Sequence, residues 1–473
     1  MPEEYDVVIL GAGTGGYVTA IKAAQEGLTT AIVEKDKVGG TCLHTGCIPS
    51  KSLLKSAEVY SEMKNSEHFG IEASGVSVQF GKVQERKEKI VQQLYQGVQQ
   101  LMQKGKIDVY KGHGRILGSS IFSPISGTIS VEMEDGSENV MLLPKNVIIA
   151  TGSSPKTLAD LKADGEKIMT SNQALNLEEL PKSIIIVGGG VIGVEFASML
   201  ADFEVDVTIV EYSSFLLPGE DEDISQHLQQ TLENRGVKVF TDANVNPEKI
   251  KKGGGVSVTV EQEAEEIEIS ADKVLLSVGR KANIEDIGLE NTDIEIDNGC
   301  IVTNQYYQSK ESHIYAIGDV IGGMQLAHVA SREGITAIDH ILNHSPMPID
   351  STMIPKCTYS RPEVASIGLT EKEAQNQGFS VKTGRVSFRS IGKALVAGDT
   401  EGFTKLVVNE ENDDLLGVHM IGSHVTELIS EASLAKLIDA SNLEISETIH
   451  PHPALSEIVG EAALAVEGKA IHS

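Results

Sequence analysis

Two cysteines separated by four residues are the part of this chain whose chemistry is easiest to read. Cys42 and Cys47 lie in the run GGTCLHTGCIPSK, residues 39–51, shortly after a glycine-rich nucleotide-binding sequence. Such a pair can cycle between a dithiol and a disulfide, can supply two ligands to a zinc ion, or can be two inert buried thiols. The spacing alone leaves these three interpretations open.

The surroundings of the pair favour redox chemistry over a zinc site. A structural zinc ion needs four ligands, yet the other two cysteines, Cys300 and Cys357, each lie alone and far along the chain. A helix that begins near Cys42 would lower the pKa of its thiol and make a thiolate available for exchange. We therefore predict a redox-active pair and no metal site.

Two charged residues are candidates to act beside the thiols. Lys51 ends the cysteine segment, one helical turn beyond Cys47. Glu195 interrupts an apolar helical stretch, where a carboxylate needs a partner. Lys51 is a candidate for that partner, although ordinary structural roles for both residues stay open.

The C-terminal run IHPHPALSE, residues 449–457, offers a proton carrier. Thiol chemistry near neutral pH needs a group that takes up and returns protons, and imidazole has a suitable pKa. His452 is the histidine nearer to Glu457, whose carboxylate could orient one ring nitrogen and leave the other for a sulfur atom. A cis His452–Pro453 bond is compatible with the sequence.

Two copies of a dinucleotide-binding pattern would position these groups. Each copy reads as a strand, a glycine-rich turn, a helix and a second strand with a carboxylate at its end, and the two copies are 177 residues apart (188 − 11 = 211 − 34 = 177). The glycines let the backbone approach a pyrophosphate at the helix N-terminus, and the carboxylate accepts from ribose hydroxyls. The residues are Gly11, Gly13, Gly16 and Glu34 in the first copy and Gly188, Gly190, Gly193 and Glu211 in the second.

Details of the second copy refine this prediction. Glu211 is followed by Tyr-Ser-Ser with no arginine, which favours NAD over NADP because a 2′-phosphate usually requires a cation nearby. Glu204 stands where Gly27 ends the first helix, and we expect the substitution to cost little because helices can end in several ways.

The rest of the chain gives a coarse outline. Residues 83–104 predict a helix, 127–143 strands, 270–279 and 312–319 one strand each, and 253–255 a hairpin turn. From about residue 346 the pattern changes to alternating strands with a helix near 426–440, which predicts a separate final domain.

Composition limits the function classes. The 473 residues exceed what one core usually holds, and a net charge of −29 argues against nucleic acid and anionic membranes as partners. The chain shows neither a signal peptide nor an apolar run near the ~20 residues of a membrane span. Four cysteines are typical of a protein of the cytoplasm, and a basic docking partner is compatible with the charge.

Taken in order, these motifs resemble the dihydrolipoyl dehydrogenases, class I pyridine nucleotide-disulfide oxidoreductases. Further matching motifs are Ala150-Thr151-Gly152, Ser277-Val278-Gly279-Arg280 and Ile317-Gly318-Asp319, and the resemblance covers essentially the whole chain. It implies an α/β fold with two Rossmann-like dinucleotide-binding domains and a C-terminal α+β dimerisation domain. The implied boundaries are an FAD domain at 1–147, an NAD domain at 148–270, a central segment at 271–345 and an interface domain at 346–473.

The resemblance also implies residue roles. Cys42 would exchange with the substrate and Cys47 would contact the flavin, with Lys51 near the flavin and paired to Glu195. His452 and Glu457 would act as acid and base from the opposite subunit of a homodimer. FAD contacts beyond the first glycine loop and Glu34 would be Thr41, Lys51, Gly114, Thr151, Gly152, Ser153, Asp319 and Ala327, and NAD contacts beyond the second glycine loop would be Glu211, Val245 and Gly279.

The implied reaction is oxidation of protein-bound dihydrolipoamide with reduction of NAD⁺, through the Cys42–Cys47 disulfide and FAD. The implied partners are a lipoylated carrier and the core acyltransferase of a 2-oxo acid dehydrogenase complex. Two alternatives stay open: an NADH-dependent reductase of another disulfide, and a non-catalytic flavin-binding subunit with a structural or redox-sensing role.

The chain departs from the family pattern at a few positions. His44 and Thr45 replace residues that are often Asn and Val, and Arg361 replaces a frequent His. His44, residues 112–118 and the GKAIH tail most resemble the enzymes of branched-chain 2-oxo acid dehydrogenase complexes in bacilli. His44 could tune the pKa or the redox balance of the thiols.

Overall fold

The computed structural model describes residues 3–119, 126–158, 161–263 and 265–472. Its contacts divide the chain into two compact units, each assembled from three separate segments. The first unit contains residues 1–52, 84–156 and 280–349, and the second contains 53–83, 157–279 and 350–473. The boundaries of the four predicted domains stay predictions.

The first part of the chain contains the first predicted strand–helix–strand unit, which is confirmed. The predicted helix at 83–104 begins three residues earlier, and two strands occupy the region predicted at 127–143. The elements are β1 (Glu3–Leu10), α1 (Thr14–Gln25), β2 (Thr30–Glu34), α2 (Gly40–His44), α3 (Cys47–Lys64), α4 (Phe80–Lys104), β3 (Asp108–Leu117), β4 (Thr128–Met133), β5 (Val140–Ile149) and β6 (Ser153–Pro155).

The next part contains the second strand–helix–strand unit, also confirmed. The elements are β7 (Ile168–Thr170), α5 (Ser171–Ala174), β8 (Ser183–Val187), α6 (Val191–Asp202), β9 (Asp206–Val210), α7 (Glu222–Asn234), β10 (Lys238–Phe240), β11 (Ala243–Lys252), β12 (Val256–Gln262), β13 (Glu265–Ala271) and β14 (Lys273–Leu276). The turn predicted at 253–255 is confirmed, since β11 and β12 form an antiparallel hairpin around it.

One strand prediction is wrong in this part. Residues 270–279 belong to two strands, because the chain leaves β13, antiparallel to β12, and enters β14, parallel to β8. The change of partner at Asp272 breaks the strand, and an apolar run cannot reveal which sheet each half joins.

The last third of the chain returns to the first unit and then forms the final domain. The predicted strand at 312–319 is shorter than expected because a 3₁₀ turn at Gly318–Ile321 follows it, and the helix predicted at 426–440 is confirmed. The elements are β15 (Arg280–Ala282), β16 (Ile296–Asp297), β17 (Cys300–Ile301), β18 (Ile314–Ala316), α8 (Ala327–Ile341), β19 (Lys356–Thr358), β20 (Glu363–Gly368), α9 (Glu371–Asn376), β21 (Val381–Ser387), α10 (Gly392–Ala397), β22 (Phe403–Asn409), β23 (Leu415–Gly422), α11 (Val425–Leu437), α12 (Asn442–Glu447) and α13 (Glu457–Val466).

Three main sheets organise these elements. In the first unit β1 pairs in parallel with β2 and β5, β18 pairs in parallel with β5, and alternate residues of β1 enter the cores on the two faces. In the second unit β10-β9-β8-β14-β7 form a parallel sheet, and β19-β20-β23-β22-β21 form an antiparallel one. Burial of both faces is typical of parallel sheets with helices on each side.

The end of α6 differs from the sequence-based expectation. Glu204 adopts the same left-handed backbone as Gly27, with φ of 63° against 82°. A non-glycine residue in this conformation costs roughly 1–2 kcal/mol. The Glu204 carboxylate accepts a hydrogen bond from Tyr60 Oη at 2.6 Å and lies 2.9 Å from Lys64 Nζ, contacts that offset part of that cost.

Candidate active site

The first glycine loop is shaped for close backbone approach. Gly11 has φ of 98°, and a β-carbon there would lie 2.3 Å from the Ala150 carbonyl oxygen. A β-carbon at Gly16 would lie 1.9 Å from the Gly11 carbonyl oxygen, so α1 crosses β1 at a distance that only glycine permits. At Gly13 the space is open, as a pyrophosphate at the N-terminus of α1 requires.

The second glycine loop repeats this geometry. Gly188 has φ of 106°, and a β-carbon there would lie 2.4 Å from the Ser277 carbonyl oxygen. A β-carbon at Gly193 would lie 1.9 Å from the Gly188 carbonyl oxygen, and Gly190 faces open space. The two loops therefore match in the same three positions.

Two carboxylates, Glu34 at the end of β2 and Glu211 just after β9, accept backbone hydrogen bonds from the two glycine loops. Glu34 accepts from the N–H of Ala12 at 2.7 Å and from that of Asp36 at 2.8 Å. Glu211 accepts from the N–H of Gly189 at 2.5 Å and from that of Ser213 at 2.7 Å. A carboxylate has about four acceptor positions, so each retains capacity for ribose hydroxyls.

The thiol pair lies directly against the first glycine loop. Cys42 is in α2, Cys47 begins α3, and the turn between the helices is tight, because a β-carbon at Gly46 would lie 2.9 Å from the Thr41 carbonyl oxygen. At the start of α2, a β-carbon at Gly40 would lie 2.5 Å from the Cα of Gly13. The dithiol therefore lies beside the first glycine loop, and its place beside a bound dinucleotide stays a prediction.

The Cys42 thiol is activated. A hydrogen bond from Cys47 lowers the pKa of Cys42 from its ordinary value to about 7, helped by Thr14 and by the positive charge of Lys51, against the opposing effect of burial. The two thiols are therefore hydrogen-bonded, and the lowered pKa makes the thiolate of Cys42 available at neutral pH. Thr14 is a contributor that the sequence analysis missed, although it lies within the first glycine loop.

The predicted charged pair falls in different units. Lys51 is on α3, and Glu195 on α6 is only 6% exposed, with Oε1 accepting from the N–H of Tyr359 at 3.0 Å. The need for a polar partner at Glu195 is confirmed by this contact. The pairing of Lys51 with Glu195 stays a prediction.

A polar network surrounds Asp319 at the end of β18. Ser153 Oγ donates to Asp319, and Arg280 donates through Nε to Ser153 Oγ and through Nη2 to the Ser153 carbonyl oxygen, both at 2.7 Å. Arg280 ends the motif Ser277-Val278-Gly279-Arg280, but the sequence alone predicted no role for it. Its nearly buried guanidinium lies 3.7 Å from the Asp319 carboxylate and orients the two predicted FAD contacts.

The remaining predicted cofactor residues lie on elements of the expected unit. Thr151 Oγ1 donates to the Asn283 carbonyl oxygen at 2.7 Å, and the Asn283 amide returns a bond to the Thr151 carbonyl oxygen. The others are Thr41 on α2, Gly114 on β3, Gly152 in a left-handed turn and Ala327 at the start of α8 in the first unit, and Val245 on β11 and Gly279 in a left-handed turn in the second. Their contacts with a nucleotide stay predictions.

His452 and Glu457 form the predicted dyad. His452 Nδ1 lies 2.8 Å from Glu457 Oε1, and the N–H of Ala454 donates to Glu457 Oε2 at 2.9 Å. These bonds, that of Ala454 first, lower the pKa of Glu457. The His452 side chain is 78% exposed, and the peptide bond to Pro453 is cis.

Two negative findings concern the described part of the chain. Within residues 3–119, 126–158, 161–263 and 265–472, no group of three or more His, Cys, Asp or Glu side chains is placed to hold a metal ion. The helices in those ranges include none that combines the length and apolar character needed to cross a bilayer.

Comparison with known protein families agrees with this geometry. Residues 5–334 match the family described as pyridine nucleotide-disulphide oxidoreductase, and residues 354–463 match its dimerisation domain. The chain belongs to the pyridine nucleotide-disulphide oxidoreductase family. The two glycine loops, the thiol pair and the C-terminal antiparallel sheet are thus parts of one family architecture, and the dimerisation domain supports a homodimer.

Individual members of this family resemble the chain over its full length. A dihydrolipoyl dehydrogenase of Bacillus subtilis is 60% identical over 473 residues, covering 100% of both chains. Another from the same organism is 40% identical over 469 residues, and one from Zymomonas mobilis is 39% identical over 479. These two alignments cover 99% and 100% of this chain and 100% of each relative.

Solved structures of the family have the same fold. LpdA from Mycobacterium tuberculosis superposes with a TM-score of 0.89 at 26% identity, covering 98% of this chain and 99% of that one. The HOCl-induced flavoprotein disulfide reductase RclA from Escherichia coli, as its Cu(II) complex, gives 0.85 at 26% identity with the same coverage. The predicted α/β fold class with a C-terminal dimerisation domain is confirmed.

Proposed function

We propose that this protein is a dihydrolipoyl dehydrogenase. The reaction converts dihydrolipoamide and NAD⁺ to lipoamide, NADH and one proton. One substrate thiol attacks the Cys42 sulfur of the Cys42–Cys47 disulfide and forms a mixed disulfide, and the second substrate thiol then releases Cys42. The lipoyl group is oxidised and the protein disulfide is reduced by the same two electrons.

The observation that carries the proposal is the contact of the two thiols with each other and with the first glycine loop. Cys42 is the leaving group of the second step, when the second substrate thiol displaces it from the mixed disulfide, and a thiolate leaves faster as its pKa falls. The lowered pKa of Cys42 therefore supports its assignment as the sulfur that forms the mixed disulfide with the substrate and is then released. Cys47, at the start of α3, is then the sulfur assigned to the flavin side.

Proton transfer is assigned to His452. Its Nε2 is free to accept a thiol proton while Nδ1 is held by Glu457 at 2.8 Å, so the carboxylate fixes the ring and stabilises the imidazolium that forms. Loss of a general base typically slows such steps by roughly 10²–10⁴-fold, and we expect this loss for His452→Gln.

The proteins of this family carry FAD and a pyridine nucleotide, and the residues described above fit both. Open space at Gly13 and Gly190, with carboxylates at the ends of the second strands, suits two dinucleotides. Bound FAD would supply the electron transfer between the dithiol and NAD⁺. Glu34 and Asp319 are assigned to FAD, Glu211 to NAD, and Lys51 with Glu195 to the surroundings of the flavin.

NAD is proposed over NADP because Glu211 already braces its own loop. Removing it would free the N–H groups of Gly189 and Ser213, and a 2′-phosphate beside its carboxylate would be repelled. The exposed residue that follows, Tyr212, supplies no positive charge.

The proposed partners are a lipoylated carrier and the core acyltransferase of a 2-oxo acid dehydrogenase complex, in the cytoplasm. Of two B. subtilis relatives with the same name, this chain is 60% identical to one and 40% identical to the other. The chain is thus more similar to one of these two dihydrolipoyl dehydrogenases than to the other. We propose that it is the form that serves the branched-chain 2-oxo acid dehydrogenase complex.

A direct test uses the purified, flavin-loaded protein without oxygen. Dihydrolipoamide should produce a long-wavelength absorbance band that NAD⁺ discharges, and Cys42→Ser should abolish steady-state NADH formation while the protein stays folded and yellow. NADH formation that survives in Cys42→Ser would contradict the thiol mechanism. A folded yellow wild type without turnover would favour the non-catalytic flavin-binding subunit.

The likeness to RclA keeps a second candidate, an NADH-dependent reductase of another disulfide. Its 26% identity, against 60% for the B. subtilis dihydrolipoyl dehydrogenase, makes it the weaker proposal. Faster NADH oxidation with a non-lipoyl disulfide than with lipoamide would favour it.

A further inference from the structure

Glu333 is a buried carboxylate that the proposed reaction does not use. It lies on α8, is 8% exposed, and its Oε2 accepts from the N–H of Gly318 at 2.6 Å. Gly318 directly precedes Asp319 and has a left-handed backbone with φ of 71°. The carboxylate therefore holds the first residue of the turn that carries Asp319.

The same helix face fixes that turn relative to α1. A β-carbon at Gly318 would lie 3.2 Å from Ala330 Cβ, and one at Gly15 would lie 3.2 Å from the same atom. One turn on, a β-carbon at Gly334 would overlap Thr19 Oγ1 on α1. Glu333 thus stands between two close contacts with the helix of the first glycine loop.

A glutamine at position 333 could accept the same hydrogen bond from Gly318 without placing a charge in the interior of the protein. The pKa of Glu333 is raised to about 6, first by burial and also by the nearby Asp319 carboxylate, while the bond from Gly318 acts in the opposite direction. A charged acceptor binds a backbone N–H more strongly than a neutral one, which is a reason to place a carboxylate at this turn.

We propose that Glu333 is a positioning residue of the FAD site, which holds Gly318 so that Asp319 stays in the Ser153–Arg280 network and can meet the ribityl chain. The inference rests on the proposed function, because it assumes that this unit binds FAD. In this proposal α8 contacts both ends of the FAD site. It contacts α1 at the pyrophosphate end and the turn of Asp319 at the ribityl end.

The test is FAD binding by apo-protein, measured by the quenching of flavin fluorescence. Glu333→Leu leaves the Gly318 N–H buried without its acceptor, and we expect FAD to bind at least roughly tenfold more weakly. Glu333→Gln restores an acceptor and should bind FAD within about threefold of the wild type, since the hydrogen bond is kept. The flavin absorption spectrum of each reconstituted variant reports whether bound FAD has the wild-type surroundings.

Thr336→Val is the matched control on the same helix. Thr336 is buried, and within the described residues its hydroxyl has no hydrogen-bond partner, so the variant should bind FAD as the wild type does. Urea unfolding of each apo-protein detects a variant that simply fails to fold.

The outcomes separate this inference from the proposed function. A wild-type apo-protein that does not bind FAD refutes the proposed function. If the wild type binds FAD and folded Glu333→Leu binds it equally well, the positioning role is refuted alone. Equal weakening by Glu333→Leu and Glu333→Gln also refutes it, because the amide should restore the bond.

Discussion

At the scale of single residues, the asymmetry of the thiol pair decides the chemistry. The sequence predicted a reactive pair and a helix near Cys42, and both are confirmed. It could not predict that the largest effect on the Cys42 pKa is a hydrogen bond from Cys47, because that contact depends on the tight turn at Gly46 rather than on residue types.

The lowered pKa of Cys42 leads to a prediction for the reduced protein. Alkylation of Cys42 by iodoacetamide, followed by mass spectrometry of its peptide, should have a midpoint near pH 7. Cys47→Ala removes the main cause and should raise the midpoint by about one unit or more. Cys47→Ser retains an O–H donor and should shift it less. A wild-type midpoint near pH 9 would contradict the interpretation.

Glu333 leads to a prediction for stability against pH. Its pKa is raised from 4.5 to about 6 in the folded protein, so the folded state binds more protons than the unfolded state between these values. The free energy of unfolding should therefore fall as the pH rises through that window, by about 2 kcal/mol for this group. Glu333→Gln should stabilise the apo-protein by about that amount at pH 8 and progressively less toward pH 5.

Urea unfolding of the apo-protein, followed by circular dichroism at both pH values, measures this difference. Thr336→Val serves again as the control, since it changes no titrating group on α8. A gain for Glu333→Gln that is the same at pH 5 and pH 8 would show that the carboxylate does not titrate as expected.

At the scale of elements, the C-terminal half of α6 is held by a cluster of polar contacts that the sequence did not reveal, which we call the clamp. Asp202, 7% exposed, lies 2.8 Å from Arg235 Nη2 and 3.4 Å from Arg361 Nη1, and the N–H of Arg361 donates to Ser198 Oγ at 2.8 Å. Ser198 and Asp202 lie three and seven residues after Glu195, on the same face of α6. Arg361, a departure from the family pattern, thus helps to fix the helix that carries a predicted active-site carboxylate.

The clamp predicts a large loss of stability for Asp202→Asn. Breaking a buried ion pair leaves Arg235 without its countercharge and typically costs about 3–5 kcal/mol. Arg361→Gln is the matched control, because Arg361 lies farther from Asp202 than Arg235 does, at 3.4 Å against 2.8 Å, and its loss should cost less. Equal midpoints in urea for the two variants would contradict the assignment of the buried pair.

The same scale shows how far sequence reasoning reaches. Both strand–helix–strand units and the hairpin at 253–255 follow from local periodicity and glycines, and they are confirmed. The break at Asp272 and the left-handed end of α6 at Glu204 depend on which sheet or side chain lies opposite. Local patterns carry no information about such partners, so these details were missed.

At the scale of the whole molecule, the two units are interleaved along the chain. Leu53 and Ala57 on α3 belong to a core cluster with Phe196 and Leu200 of α6, although the same helix begins at Cys47 in the first unit. Periodicity identifies the apolar face of α3 but not the core that it enters. The four predicted domains, each one continuous range, could not anticipate this division.

The dimer gives the last prediction, because the family resemblance implies that His452 serves the thiols of the opposite subunit. The high exposure of the His452 side chain suits that role. In a heterodimer of Cys42→Ser and His452→Gln chains, one site would then carry both changes and the other neither. After unfolding and refolding of an equal mixture, half of the dimers should be mixed, and activity should recover to roughly a quarter of the wild-type value.

If His452 instead served the thiols of its own chain, every site in the mixed dimers would lack one group and no activity would return. Each variant refolded alone gives the background, and sedimentation must show particles of about twice the 50.6 kDa chain mass. A recovered quarter would assign the active site to both subunits, and an inactive mixture of folded dimers would confine it to one.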